Sequence, residues 1–98
     1  MIQINEIRKG EIWVHVNEST DFLDGKTGAR ILGEIDKIPG GNNITIDLQD
    51  IRSISGEGFN VLYTIMQKAK TNDSNIYFTN VHKDIDELIS ILTETSEG

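Results

Sequence analysis

The stretch Ile44-Thr45-Ile46-Asp47-Leu48-Gln49-Asp50-Ile51, with Ile54-Ser55-Gly56-Glu57-Gly58-Phe59-Asn60-Val61-Leu62 close behind it, decides the fold. Ile44, Ile46 and Leu48 alternate with Thr45, Asp47 and Gln49, the period-two signature of a strand with one buried face. Phe59, Leu62, Met66 and Ala69 then recur at helical spacing. A strand that passes through a short glycine-bearing loop into an amphipathic helix opens a β-α-β unit. The polar loop 71–75 ends that helix, and Ile76 and Phe78, alternating with Tyr77 and Thr79, supply the second strand.

The flanking sequence extends the same logic. Ile2, Ile4 and Ile7 suggest a first strand, Lys9-Gly10 a turn, and Ile12, Val14 and Val16 a second strand, hence a hairpin. Ile31, Leu32, Ile35 and Ile38 mark a helix that starts within 21–26 and stops by Pro39-Gly40-Gly41. Ile85, Leu88, Ile89 and Leu92 mark the last helix. The order β-β-α-β-α-β-α predicts an α/β fold with a four-stranded mixed, mainly parallel sheet. The strands alternate rather than running uniformly apolar, so the helices are expected mainly on one face, with the other partly wet.

A length of 98 residues suits one domain. It is read as residues 1–92, followed by a polar tail at 93–98. Apolar runs reach only two or three residues, whereas a bilayer-crossing helix needs roughly 20, so no membrane insertion is expected. The start, Met1-Ile2-Gln3-Ile4-Asn5-Glu6, lacks the basic and long apolar segments of a signal peptide. There is no cysteine, hence no disulfide and no thiolate chemistry. A cytoplasmic address follows as the expectation. Nine basic against sixteen acidic residues leave a net charge of −7. With no dense basic cluster, that charge argues against nucleic acid as a partner.

Function is expected in the loops at the C-terminal ends of the parallel strands. One such loop holds Gly25-Lys26-Thr27, which matches the end of a phosphate-binding loop. The glycine that motif requires five residues earlier is replaced by Thr20, and Asp21 and Asp24 would repel phosphate. A glycine-containing helix start is the favoured reading, with a nucleotide-binding sensor as the alternative. The other loop sets Glu57 between Gly56 and Gly58 at a helix start. Two readings of Glu57 carry equal weight: complementarity to the helix dipole, or a docking surface that the glycines let a partner approach. Ser55 sits where an N-cap belongs. His15 falls on the less covered sheet face, and His82 at the start of the last helix. Neither shows the spacing of a catalytic or metal constellation, so neither an enzyme nor a metal or cofactor site is expected.

The two quoted segments, with Ile76-Tyr77-Phe78-Thr79-Asn80-Val81 and the Asp21-Phe22 pair, resemble the STAS domain of bacterial anti-sigma factor antagonists. That family shows an apolar strand ending in Asp-Leu, then a stretch like Asp-Ser-Ser-Gly-Leu-Gly-Val-Leu. The resemblance spans nearly the whole chain; its distinctive part is the third strand and the helix after it. It implies a partner switch. The antagonist binds an anti-sigma factor that is also a serine kinase, phosphorylation at the helix start releases it, and a phosphatase resets it. A STAS subunit of another signalling or transport complex is a variant of the same reading. Here the family's aspartate falls on Ser55, its first serine on Gly56, and the usual phosphoacceptor on Glu57, while Gly58 and Phe59 keep the pattern. The resemblance thus implies a docking face of Thr20, Asp21, Phe22, Ser53, Ser55, Gly56, Glu57, Gly58 and Phe59. Glu57 would be a non-phosphorylatable partial mimic of phosphoserine, and Ser55 the alternative hydroxyl, with N-capping its favoured role.

Overall fold

A computed structural model of the chain describes residues 2–17 and 21–97, with side chains through Ile91. Strand β1 (Ile2–Arg8) turns at Lys9-Gly10 into β2 (Glu11–Val16). Gly10 takes φ +88°, a conformation that L side chains rarely adopt. The chain continues through β3 (Phe22–Leu23), α1 (Gly25–Ile35), β4 (Asn43–Asp47), β5 (Ser53–Ile54), α2 (Gly56–Thr71), β6 (Asn75–Thr79) and α3 (Lys83–Glu97). The main sheet has the order β1-β2-β4-β6. Its first pair is antiparallel and the β2–β4 and β4–β6 pairs are parallel.

One face of this sheet is the core. Val14, Val16 and Ile46 are fully buried, with Ile12 and Ile44 nearly so. They pack with Ile31 and Ile35 of α1, Leu62 and Ile65 of α2, and Ile85 and Ile89 of α3. All three helices therefore cover the same side, as the alternation predicts. The opposite face carries in-register rows: Trp13, Thr45 and Tyr77 in one, His15, Asp47 and Thr79 in the next.

Tertiary burial rather than intrinsic propensity makes α1 helical. Gly28 and Gly33 lie within it, each costing roughly 0.5–1 kcal/mol relative to alanine. Burial of Ile31 offsets this by about 1.5–3 kcal/mol. Gly28 also lets α1 and α2 approach closely, since a methyl group there would lie 2.9 Å from Val61 Cβ.

Besides the short strands β3 and β5, four details differ from the pattern read in sequence. Ile7 is 55% exposed, because its odd position in β1 puts it on the face of Asn5 and Trp13, opposite Ile2 and Ile4, where it lines a groove with Trp13 and Tyr77. The buried line of α2 is Gly58, Leu62, Ile65 and Ala69, while Phe59 and Met66 sit half-buried at its border. Leu88 of α3 is also exposed, beside buried Ile85 and Ile89. The α3 backbone continues to Glu97, through most of the stretch read as a polar tail, with no proline or glycine before Gly98 to stop it.

Candidate functional site

The strongest unforeseen feature is a two-residue parallel bridge. Phe22 and Leu23 of β3 pair with Ser53 and Ile54 of β5. The Asp21 carbonyl accepts from the N–H groups of Arg52 and Ser53, and the Leu23 carbonyl accepts from Ser55 N–H at 3.0 Å. The bridge ties the segment after β2 to the segment before α2. The two segments that the resemblance places on one face are thus joined by backbone pairing.

The expected docking residues are exposed unequally. Asp21, Phe22, Ser53, Gly56 and Glu57 are exposed, Phe22 at 41%. Ser55 is half-buried and caps α2: its Oγ accepts the Gly58 N–H at 3.0 Å. Phe59 is half-buried against the core. Gly58 is buried, and a methyl group there would lie 2.2 Å from the Leu23 carbonyl oxygen. Gly58 therefore lets α2 pack closely against β3. Thr20 lies outside the described residues.

Glu57 stands in the first turn of α2. Its side chain also lies across the start of α1, because a methyl group at Gly25 would fall 2.7 Å from Glu57 Oε2 and 3.0 Å from its Cβ. Its carboxylate therefore meets the positive ends of two helix dipoles. At α1 itself, Asp24 is the N-cap and accepts the Thr27 N–H at 2.8 Å. The Thr27 N–H and hydroxyl together hold the Asp24 carboxyl below its ordinary value. The Gly25-Lys26-Thr27 segment is thus a capped helix start, overlaid by Glu57. Asp24 and Glu57 place two carboxylates at this helix start.

The capping bond makes a direct prediction. Ser55→Ala is expected to lower stability by about 1 kcal/mol, and Ser55→Asp, which restores an acceptor, by much less. Urea unfolding midpoints of the three proteins check it. Equal midpoints for the alanine and aspartate variants would remove the cap from the account.

A second cluster adjoins this surface, and sequence reading missed it. His15 Nδ1 faces Asp47 Oδ2 at 3.1 Å, and His15 Nε2 faces Asp50 Oδ2 at 3.2 Å. Asp47 is only 4% exposed. Its Oδ1 accepts from Gln49 N–H at 3.0 Å and from the Asn80 amide at 3.2 Å. Burial by itself would raise the Asp47 carboxyl, but the Gln49 N–H, the Asn80 amide and His15 together hold it below the ordinary aspartate range. His82 Nε2 lies 3.2 Å from the Gln49 carbonyl. These contacts clamp loop 48–52 to the ends of β2, β4 and β6, and that loop leads into β5. Both ring nitrogens of His15 face carboxylates, so neither is directed at a hydroxyl nucleophile. His15 and Asp47 are register partners, so strand pairing was the signal that would have joined them. Among the described residues no group of three His, Asp or Glu side chains is arranged to hold a metal ion.

No protein-family model and no curated protein matches the chain. Solved structures do match. The anti-sigma factor antagonist SpoIIAA in its unphosphorylated form superposes with a TM-score of 0.70 at 9% identity, covering 93% of this chain and 83% of SpoIIAA. The chain has the STAS fold of SpoIIAA. The phosphorylated form of SpoIIAA, described as a Bacillus cell fate determinant, matches with a TM-score of 0.69. Two larger proteins contain the same fold. Mglu matches with a TM-score of 0.69 at 8% identity, and this chain spans 83% of itself but only 20% of Mglu. The murine anion transporter Slc26a9 matches with a TM-score of 0.65 at 13% identity, covering 84% of this chain and 14% of the transporter. The likeness to SpoIIAA thus extends over most of both chains, whereas the larger proteins carry the fold as a small part. Among the described residues no helix is long and apolar enough to cross a membrane.

Proposed function

We propose that this chain is a regulatory protein-binding module of the anti-sigma factor antagonist type. It docks a protein partner through the β3–β5 bridge and the start of α2. The observation that carries this reading is the exposed Glu57, held at a capped helix start beside exposed Phe22 and Ser53. SpoIIAA shares the fold and is known in phosphorylated and unphosphorylated forms. Phosphoserine adds about −1.5 to −2 charges to such a surface. Glu57 supplies a smaller, permanent negative charge, so the module is set by sequence rather than switched at that position. The partner is an anti-sigma factor or a related serine kinase-like protein, and the role of this chain is binding rather than catalysis. Ser55 is committed to its cap, so a phosphate there would have to displace the Gly58 N–H bond.

The likeness to a transporter domain supports a second reading, in which the same face docks within a larger transport or signalling assembly. Affinity capture with the unchanged chain, Glu57→Ser and Glu57→Lys separates the two. The first reading expects a kinase-like anti-sigma factor with the unchanged chain and an affinity loss of at least about tenfold with Glu57→Lys, the scale expected when a charge contact is reversed. Recovery of a transporter or scaffold component supports the second reading. A partner held equally by all three forms would remove Glu57 from the docking face.

A further inference from the structure

β6 lies at the sheet edge, paired with β4 alone. Asn75 N–H donates to the Asn42 carbonyl and the Thr79 carbonyl accepts from Leu48 N–H. The odd-numbered residues of β6 therefore turn their peptide groups inward. Strand alternation then turns the N–H and C=O groups of Ile76 and Phe78 outward, where they form an open ladder.

The two edges of the sheet are not equivalent. β1 carries Glu6 and Arg8 with a bulge between them, and charges and bulges are devices that blunt an edge against pairing. β6 reads Asn75-Ile76-Tyr77-Phe78-Thr79, without charge or proline and in unbroken register with β4. Beside this unprotected edge runs a groove of about 530 Å³ between α2 and α3. Met66, Ile76, Phe78 and Ile89 give it apolar walls, and Asp86 is its single charged lining residue. Asp84 and Glu87 are exposed nearby on α3.

We propose that β6 is a docking edge for an extended, apolar and basic segment of another protein. The segment adds a strand to the sheet through Ile76 and Phe78. Alternate side chains enter the groove as apolar groups, and a lysine or arginine on the same side faces Asp86. Charge selects this occupant over a second copy of the chain. Two-fold pairing of β6 with itself would place two Asp86 carboxylates on one side of the joined sheet, with no basic residue lining either groove. The net charge of −7 on each copy adds to the repulsion. This edge is separate from the surface at the start of α2, so neither proposal depends on the other.

The peptide Thr-Lys-Thr-Val-Thr-Val-Thr-Lys-Thr is a suitable probe, since its lysines meet Asp86 in either strand direction. It is expected to slow hydrogen exchange of the Ile76 and Phe78 amides. Asp86→Lys, an exposed surface change, is expected to weaken its binding by about tenfold or more. Glutamate in place of both lysines, or proline in place of the first valine, is expected to abolish binding. Unchanged exchange at Ile76 and Phe78, or equal binding by Asp86→Lys, would overturn the proposal. So would a concentration-dependent dimer, seen in the ultracentrifuge, that protects the same two amides, for then a second copy fills the edge.

Discussion

Gly58→Ala is expected to destabilise the fold by about 2–3 kcal/mol, the upper part of the range for overpacking. In an unobstructed helix the same change would be favourable by roughly 0.5–1 kcal/mol. Contact geometry decides the sign. The added methyl would lie 2.2 Å from the Leu23 carbonyl oxygen and 2.7 Å from its Cδ2. A flexible side-chain tip could move aside, but this oxygen is backbone and already accepts the Ser55 N–H. Relief must separate β3 from α2 and so disturb the bridge that joins the proposed docking segments. Gly33→Ala provides the control, because a methyl there meets nothing within 4 Å. That variant is expected to be neutral or stabilised by up to ~1 kcal/mol. Chemical unfolding of both variants checks the pair. A Gly58→Ala protein as stable as Gly33→Ala would mean that β3 does not sit against α2 as described.

Asp47→Ala is expected to cost about 2–4 kcal/mol, because it strands several donors at once. The Gln49 N–H, the Asn80 amide and His15 all lose their acceptor. The same geometry dictates a pH dependence. The folded Asp47 carboxyl is held below 3.8, its ordinary value. Its stabilising contribution is therefore fully present above the ordinary aspartate range. It is lost as pH falls through the lower, folded value. Asp24, lowered by the Thr27 N–H, titrates in the same direction. Asp47→Asn, which keeps the shape without the titration, is expected to flatten the acid limb of the stability curve while leaving the part due to Asp24. Unfolding midpoints measured from neutral pH down to about pH 2.5 test this against the reference carboxylate range. An acid limb identical in Asp47→Asn and the unchanged chain would deny Asp47 its role. The neighbours that set its environment are His15 from β2, Gln49 and Asp50 from the following loop, and Asn80 and His82 from the turn before α3.

These two residues show where sequence reading succeeds and where it stops. Gly58 is visible as a glycine near a helix start, and its place in a motif marks it as special. Its burial beneath Leu23 is not visible, because β3 and β5 contribute two residues each, too few for any periodicity. Asp47 reads as the polar half of an alternation, which ordinarily points to solvent. It is buried because His15, its register partner, and Asn80, beyond β6, close over it. Glu57 was legible as an acid at a helix start, whereas its position across Gly25 was not, since the two are 32 residues apart and meet only because α1 and α2 pack side by side.

The order of the four main-sheet strands and the three helices, the parallel pairing of β2, β4 and β6 and the one-sided core follow from the sequence alone, because each rests on local periodicity and on short right-handed connections. The resemblance to the anti-sigma factor antagonists also lies in consecutive residues around Glu57, and so was available before any coordinates. Tertiary structure alone decided the contacts through which distant residues meet. Strand register joined His15 to Asp47, a two-residue bridge joined Phe22 to Ser53, and close helix packing set Glu57 over Gly25. Such contacts depend on distances between segments far apart in the chain, and no local pattern encodes them.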